Sequence, residues 1–141
     1  MKNLPKILFF VGSLSAGGTE RHISQILPKL KSRGWDVRLA VLKDGGEFSS
    51  EINNSNIPIN VLPSGLRLTI PKVRGIITLI SQTIAMAKLL NREKPDIFHC
   101  FLPTCCEIGG IVKYFSGGGK IIMSRRSQAS RPQLFPGEKS F

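Results

Sequence analysis

The sequence predicts an α/β fold, a Rossmann-like parallel sheet with helices on both faces. Three observations predict it. The run Ile7-Leu8-Phe9-Phe10-Val11 is continuously apolar rather than alternating, as in a strand covered on both sides. Runs of this kind alternate along the chain with segments of helical apolar spacing. The first strand, helix and strand together have the span of a right-handed crossover unit.

Each element follows in order. Lys6 opens the first strand, and the loop from Gly12 to Gly18 follows it. Ile23, Ile26, Leu27 and Leu30 then recur at helical spacing, predicting a helix over about residues 20–33 with Thr19 as N-cap and Gly34 as stop. Pro28 lies inside it and is expected to cost a hydrogen bond or kink the axis. Residues 36–42 form a second strand, and a Gly45-Gly46 turn and a short helical patch at 48–53 lead to a third at 59–62. Residues 66–71 read as loop or turn. Residues 73–93 read as one long helix, apolar around most of its circumference and ended by Pro95. A fourth strand, 97–102, is stopped by Pro103, and a shorter helix spans about 107–115. Three glycines then turn the chain into a fifth strand, 120–124. The expected organisation is an incomplete domain over 1–127 and a poorly ordered polar tail over 128–141, since the chain stops where a larger α/β domain would continue.

Composition narrows the function classes. With 141 residues, 41% hydrophobic and 21% charged, the chain has the material for one folded domain and is not a disordered one. Its net charge of +11 favours anionic partners. Nucleic acid is not expected among them, because the basic residues are scattered rather than clustered with aromatics. Cys100, Cys105 and Cys106 are odd in number and crowded together, a poor disulfide framework that points to a reducing, cytoplasmic setting. They also lack zinc-ligand spacing, and the two histidines are far apart, so no metal site is expected. The longest uncharged run, residues 75–87, is shorter than the roughly 20 residues that span a bilayer.

Ligands of open parallel sheets bind beyond the carboxyl ends of the strands, which singles out residues 12–21, 42–47, 99–106 and 124–127 as segments that should converge. Gly17-Gly18 directly precedes a helix N-terminus, where backbone amides and the helix dipole favour a phosphate. The loop matches neither the dinucleotide glycine pattern nor a P-loop, so a simple tight turn and a phosphate site both stay open.

Gly17-Gly18-Thr19-Glu20-Arg21-His22 after a strand, Arg33-Gly34-Trp35-Asp36-Val37 before the second strand, and Lys94-Pro95-Asp96-Ile97-Phe98-His99 at the fourth are in register with one family. Over about residues 5–127 the chain resembles the N-terminal domain of the family-4 retaining glycosyltransferases of two-domain GT-B architecture. The resemblance implies transfer of a sugar, with retained anomeric configuration, from a UDP- or GDP-sugar co-substrate to a glycan or lipid-linked acceptor in polysaccharide or glycolipid biosynthesis. It implies no metal ion or other cofactor and no protein nucleophile, the leaving phosphate itself helping to deprotonate the acceptor. Gly17 and Gly18 carry over as contacts to the donor diphosphate. The donor-binding C-terminal domain, with its basic pair and Glu-x7-Glu-type motif, is not in these residues, so the fragment alone is expected to be inactive; a non-catalytic nucleotide- or anion-binding α/β module is the alternative.

Thr19, Arg21, His99, Arg125 and Arg126 are the acceptor-side candidates. Where relatives place a histidine after the fifth strand, this chain reads Ser124-Arg125-Arg126-Ser127. A guanidinium is no base near neutral pH but binds phosphate bidentately, which suits an anionic or lipid-diphosphate acceptor; an ordinary solvated basic pair is the other reading. His99 suits acceptor contact or a structural hydrogen bond equally well. The helix over 73–93, with Arg67, Lys72 and Arg74 before or at its start, suits peripheral contact with an anionic membrane at its inner face, although burial against the sheet is the simpler explanation.

Overall fold

The computed structural model describes residues 4–63, 69–116 and 119–124. Five strands, β1 (Lys6–Val11), β2 (Asp36–Val41), β3 (Ile59–Val61), β4 (Ile97–Phe101) and β5 (Lys120–Ser124), form one parallel sheet in the order β3-β2-β1-β4-β5. Four helices connect them: α1 (Gly18–Ser32), α2 (Ser49–Asn54), α3 (Pro71–Glu93) and α4 (Pro103–Ser116). The order is that of a doubly wound sheet, reversing direction between β1 and β4.

The apolar strands separate two cores. Leu8, Phe10, Phe98 and Cys100 face α3 and α4, meeting Met86, Leu89, Leu90, Ile108 and Val112. Ile7, Phe9, Val11, Leu39 and Val41 face the other way, onto Ile23 and Leu27 of α1 and Ile52 of α2. Each fully buried side chain of this size contributes about 1.5–3 kcal/mol of transfer free energy. Five of the six β1 residues are buried, which is why that run carries no polar alternation.

Register is set at the amino ends of the strands. The Asp96 carboxylate accepts from the Lys6 amide at 2.8 Å, the Asp96 amide donates to the Lys6 carbonyl at 2.9 Å, and the Asp96 carbonyl accepts from the Lys120 amide at 2.8 Å. One residue thereby locks β1, β4 and β5 together.

Several boundaries depart from the sequence reading. α1 starts at Gly18 with Gly17 as its extended N-cap, so Thr19 lies inside the helix. Pro28 lies inside it, as the sequence reading placed it, and the helix continues to Ser32 with Ile23 and Leu27 anchoring it on the sheet. α4 begins at Pro103, four residues earlier than the spacing suggested. Pro103 is its first residue, where a missing N–H costs nothing, and Leu102 turns the chain with a φ of 73°. α3 is the largest departure in packing: of its 23 residues only Gln82, Met86, Leu89, Leu90 and Glu93 are buried. Burial against the sheet therefore does not account for its composition. By length and composition α3 alone among the described helices is apolar enough to cross a membrane, yet it is a crossover between β3 and β4 whose inner face carries Met86, Leu89 and Leu90 into the core.

Candidate functional site

The loops at the carboxyl edge come together through backbone contacts. The Gly12 carbonyl accepts from the Leu42 and Lys43 amides, each at 3.0 Å, and the Leu14 carbonyl accepts from the Phe48 amide at 3.0 Å. A Cβ on Gly12 would lie 3.8 Å from Leu102 Cδ1, and the Leu102 amide donates to the Ser124 carbonyl at 3.3 Å. The ends of β1, β2, β4 and β5 thus adjoin around the crevice where β1 leads to one face and β4 to the other.

Gly17 and Gly18 are exposed at this crevice, at the start of α1. No side chain caps the first amides of the helix, and a Cβ on Gly18 would meet nothing within 4 Å. Open space therefore lies beside unpaired donors at the positive end of a dipole. The Glu20 carboxylate folds back against Gly17, closely enough that a side chain there would displace it. An anion at the helix start has this carboxylate as a competitor for the same field.

Among the described residues, the acceptor-side candidates Thr19, Arg21 and His99 lie at separate places. Thr19 is 7% exposed and turned into the protein. Arg21 lines a groove between α1 and α2 with Ser24, Gln25, Glu47 and Glu51, on the β2 side of the helix. His99 lies beyond β1 in β4, its ring stacked on Phe101 at 4.1 Å and its Nε2 2.8 Å from Ser124 Oγ. Arg125 and Arg126, like the 128–141 tail, lie outside the described residues. Sequence reasoning missed three contributors. Gly46, with a φ of 122°, packs its backbone on Leu14 and Ser15 of the first loop. Leu102 holds a left-handed backbone that costs a branched residue about 1–2 kcal/mol, at the switch point itself. Arg74, Thr78, Gln82, Thr104 and Glu107, together with Pro71 and Leu79, line a mixed groove between the amino-terminal half of α3 and the start of α4. The Gly45-Gly46 pair was the one local signal for any of these.

Two of the three buried cysteines are held away from ionisation. Burial, then the neighbouring Cys106 and Cys105, pushes the Cys100 thiol far up, and burial followed by Cys106 raises Cys105 to about 12. Among the described residues no three His, Cys, Asp or Glu side chains gather as a metal site.

The sequence model of Glycosyltransferase Family 4 matches residues 16–135, from the glycine loop through β5 and beyond. The chain belongs to glycosyltransferase family 4. No curated protein sequence matches it. Among solved structures, a glycosyltransferase from Rickettsia africae is 19% identical with a TM-score of 0.64, over 86% of this chain and 29% of that one. HepE from Anabaena, in complex with UDP and glucose, is 16% identical with a TM-score of 0.62, over 84% of this chain and 29% of that one. The C-terminal domain of a Pyrococcus furiosus hydrogenase is similarly alike, at 17% identity and a TM-score of 0.63 over 88% and 94%. At these identities the likeness is one of fold, and the hydrogenase domain illustrates how many activities that fold hosts. The glycosyltransferase domain has the Rossmann-like half of a GT-B architecture and spans less than a third of the Rickettsia and Anabaena chains.

Proposed function

We propose that the complete protein transfers a sugar from a UDP- or GDP-sugar to a glycan or lipid-linked acceptor with retention at the anomeric carbon, in polysaccharide or glycolipid biosynthesis on the cytoplasmic side. The observation that carries this reading is the start of α1, where uncapped amides border open space at Gly18 in a family-4 domain. There the donor diphosphate accepts hydrogen bonds from the Gly18 region, and these strengthen as charge develops on the leaving phosphate. A phosphate oxygen takes the proton of the attacking acceptor hydroxyl, the glycosidic bond to the acceptor forms on the face the diphosphate leaves, and the nucleoside diphosphate departs. HepE, solved with UDP and glucose, supports a nucleotide donor by analogy of fold. Arg125 and Arg126, following β5, supply the cations for an anionic acceptor.

Gly18→Val tests the donor site by filling the space beside the first amides of α1, where a Cβ would meet no protein atom within 4 Å. Loss of charge-assisted hydrogen bonds worth about 1.5–3 kcal/mol predicts a rise in donor KM of roughly tenfold to a hundredfold for the full-length protein. An unchanged donor KM, measured across a panel of nucleotide sugars, sinks the phosphate role. Arg125→Ala and Arg126→Ala should raise the KM for an anionic acceptor alone.

A further inference from the structure

The amino edge of the sheet, opposite the glycine loop, holds a cavity of about 700 Å³. Small-molecule pockets have this size, roughly 300–1,000 Å³. The local sequence opens it. α4 lies tight on β4 at Gly109, where a Cβ would sit 2.4 Å from Cys100 Sγ. Two turns later its side chain is only that of Ser116, which lines the cavity with Leu90 and Asn91 from the last turn of α3. So small a residue leaves the space between the two helix ends unfilled. Leu90, Pro95, Ile97 and Phe98 give that space an apolar wall.

Lys94, Lys113 and Lys120 line the same cavity. Lys113 donates to the Gly119 carbonyl, whereas Lys94 and Lys120 are exposed and enter no ion pair among the described residues. The carboxylate lining it, that of Asp96, already accepts from the Lys6 amide at 2.8 Å. Lys94 belongs to the segment that runs to His99, in which Asp96 joins strands and Lys94 has no part in that joint. It ends α3 with a φ of 45°, a left-handed position that glycine fills without strain. Strain kept under a side chain that lines a cavity points to a use for that side chain. The last turns of α3 and α4 present their carbonyl ends to the same space, and that partial negative charge favours a singly charged guest over a phosphate dianion.

We propose that this cavity is a second ligand site, which takes a small amphipathic carboxylate with its apolar body against Leu90, Ile97 and Phe98 and its head between Lys94 and Lys120. β4 runs from Ile97 to Phe101, about 16 Å at 3.3 Å per residue, so the site lies the length of a strand from the glycine loop. An occupant there touches the ends of α3 and α4 and leaves the donor crevice free. The proposal stands apart from the choice of donor and acceptor.

The test is calorimetric titration of the full-length protein with decanoate, kept below its aggregation concentration, with and without saturating UDP. Saturable one-to-one binding is expected, equal in both conditions and weakened by salt. Lys94→Gln with Lys120→Gln should lower the affinity roughly tenfold, at about two- to fivefold for each rim cation. Ser116→Leu should abolish binding by filling the space. Both lysines are exposed, so circular dichroism and melting temperature should stay unchanged in the charge variant, which tests the proposal even where the filled variant is unstable. Acetate, which lacks the apolar body, and decanol, which lacks the charge, should each bind at least tenfold more weakly than decanoate. Equal affinity for either of them, displacement of decanoate by UDP, an affinity unchanged in the charge variant, or no saturable binding at all overturns the proposal.

Discussion

Substituting Gly46 by Ala should damage the glycine loop from a distance, and the geometry allows the cost to be worked out. Gly46 has a φ of 122°, a region that only glycine enters freely. A Cβ there would overlap the Leu14 carbonyl and approach the Ser15 amide to 2.7 Å. Those are main-chain atoms, so no rotamer change relieves the clash. The loop after β1 or the loop after β2 must move, and with it the hydrogen bond from the Phe48 amide to the Leu14 carbonyl at 3.0 Å. Backbone strain of about 1–3 kcal/mol plus an overpacking cost of similar size gives a loss of at least about 2 kcal/mol. At a urea slope of about 2 kcal/mol per molar, the unfolding midpoint of residues 1–141 should fall by roughly 1 M. Gly45→Ala is the control: its φ is 77° but its Cβ would meet nothing within 4 Å, so it carries strain without collision. Identical midpoints for the two variants would refute the claim that Gly46 buttresses the loop.

Two further outcomes follow. Glu20→Gln should move stability and anion binding in opposite directions: loss of a helix-start charge costs about 0.3–1 kcal/mol, whereas affinity for UDP should rise several-fold once the carboxylate at Gly17 is neutral. Equilibrium unfolding and UDP titration read the two effects, and weaker UDP binding would refute the competition. The buried thiols make stability fall at alkaline pH. Cys105 is raised in the folded protein from 9.0 to about 12 and Cys100 also upward, so the unfolded chain loses these protons first. Their contribution is complete below pH 9 and is lost as pH rises from there towards 12. A triple Cys→Ala variant whose stability declines just as steeply between pH 9 and 11 would exclude them as the cause.

The fold was legible because its signals are local and redundant. The apolar run of β1, the helical spacing of Ile23, Leu27 and Leu30, and the glycine turns each point to the same alternation, and the observed sheet has it. Misreadings came where one residue serves either neighbour. Pro103 stops a strand and equally starts a helix, and only the left-handed Leu102 decides between them. At the candidate site the sequence pointed to the loop glycines, which lie exposed at the start of α1. Arg21 and His99 look equivalent as polar residues near strand ends, but α1 turns Arg21 towards α2 while the Phe101 ring and Ser124 hold His99, and both facts depend on contacts distant in sequence. The solvent face of α3 was illegible for a different reason. An apolar helix buried in a core and one resting on another surface have the same periodicity, and only the sheet behind it reveals which side is free.

Asp96 bears on how relatives of this domain are recognised. The Lys94 to His99 segment is one of the three segments by which the sequence resembles its family, yet Asp96 sits at the amino edge of the sheet, away from the glycine loop. Its three main-chain partners make it a joint between strands rather than a participant in transfer. A motif search centred on this aspartate therefore retrieves scaffolds, including ones whose loops at the carboxyl edge have diverged, whereas one centred on Gly17-Gly18 samples the edge where the proposed donor site lies. Disagreement between the two searches would mark chains that kept the architecture and changed the chemistry.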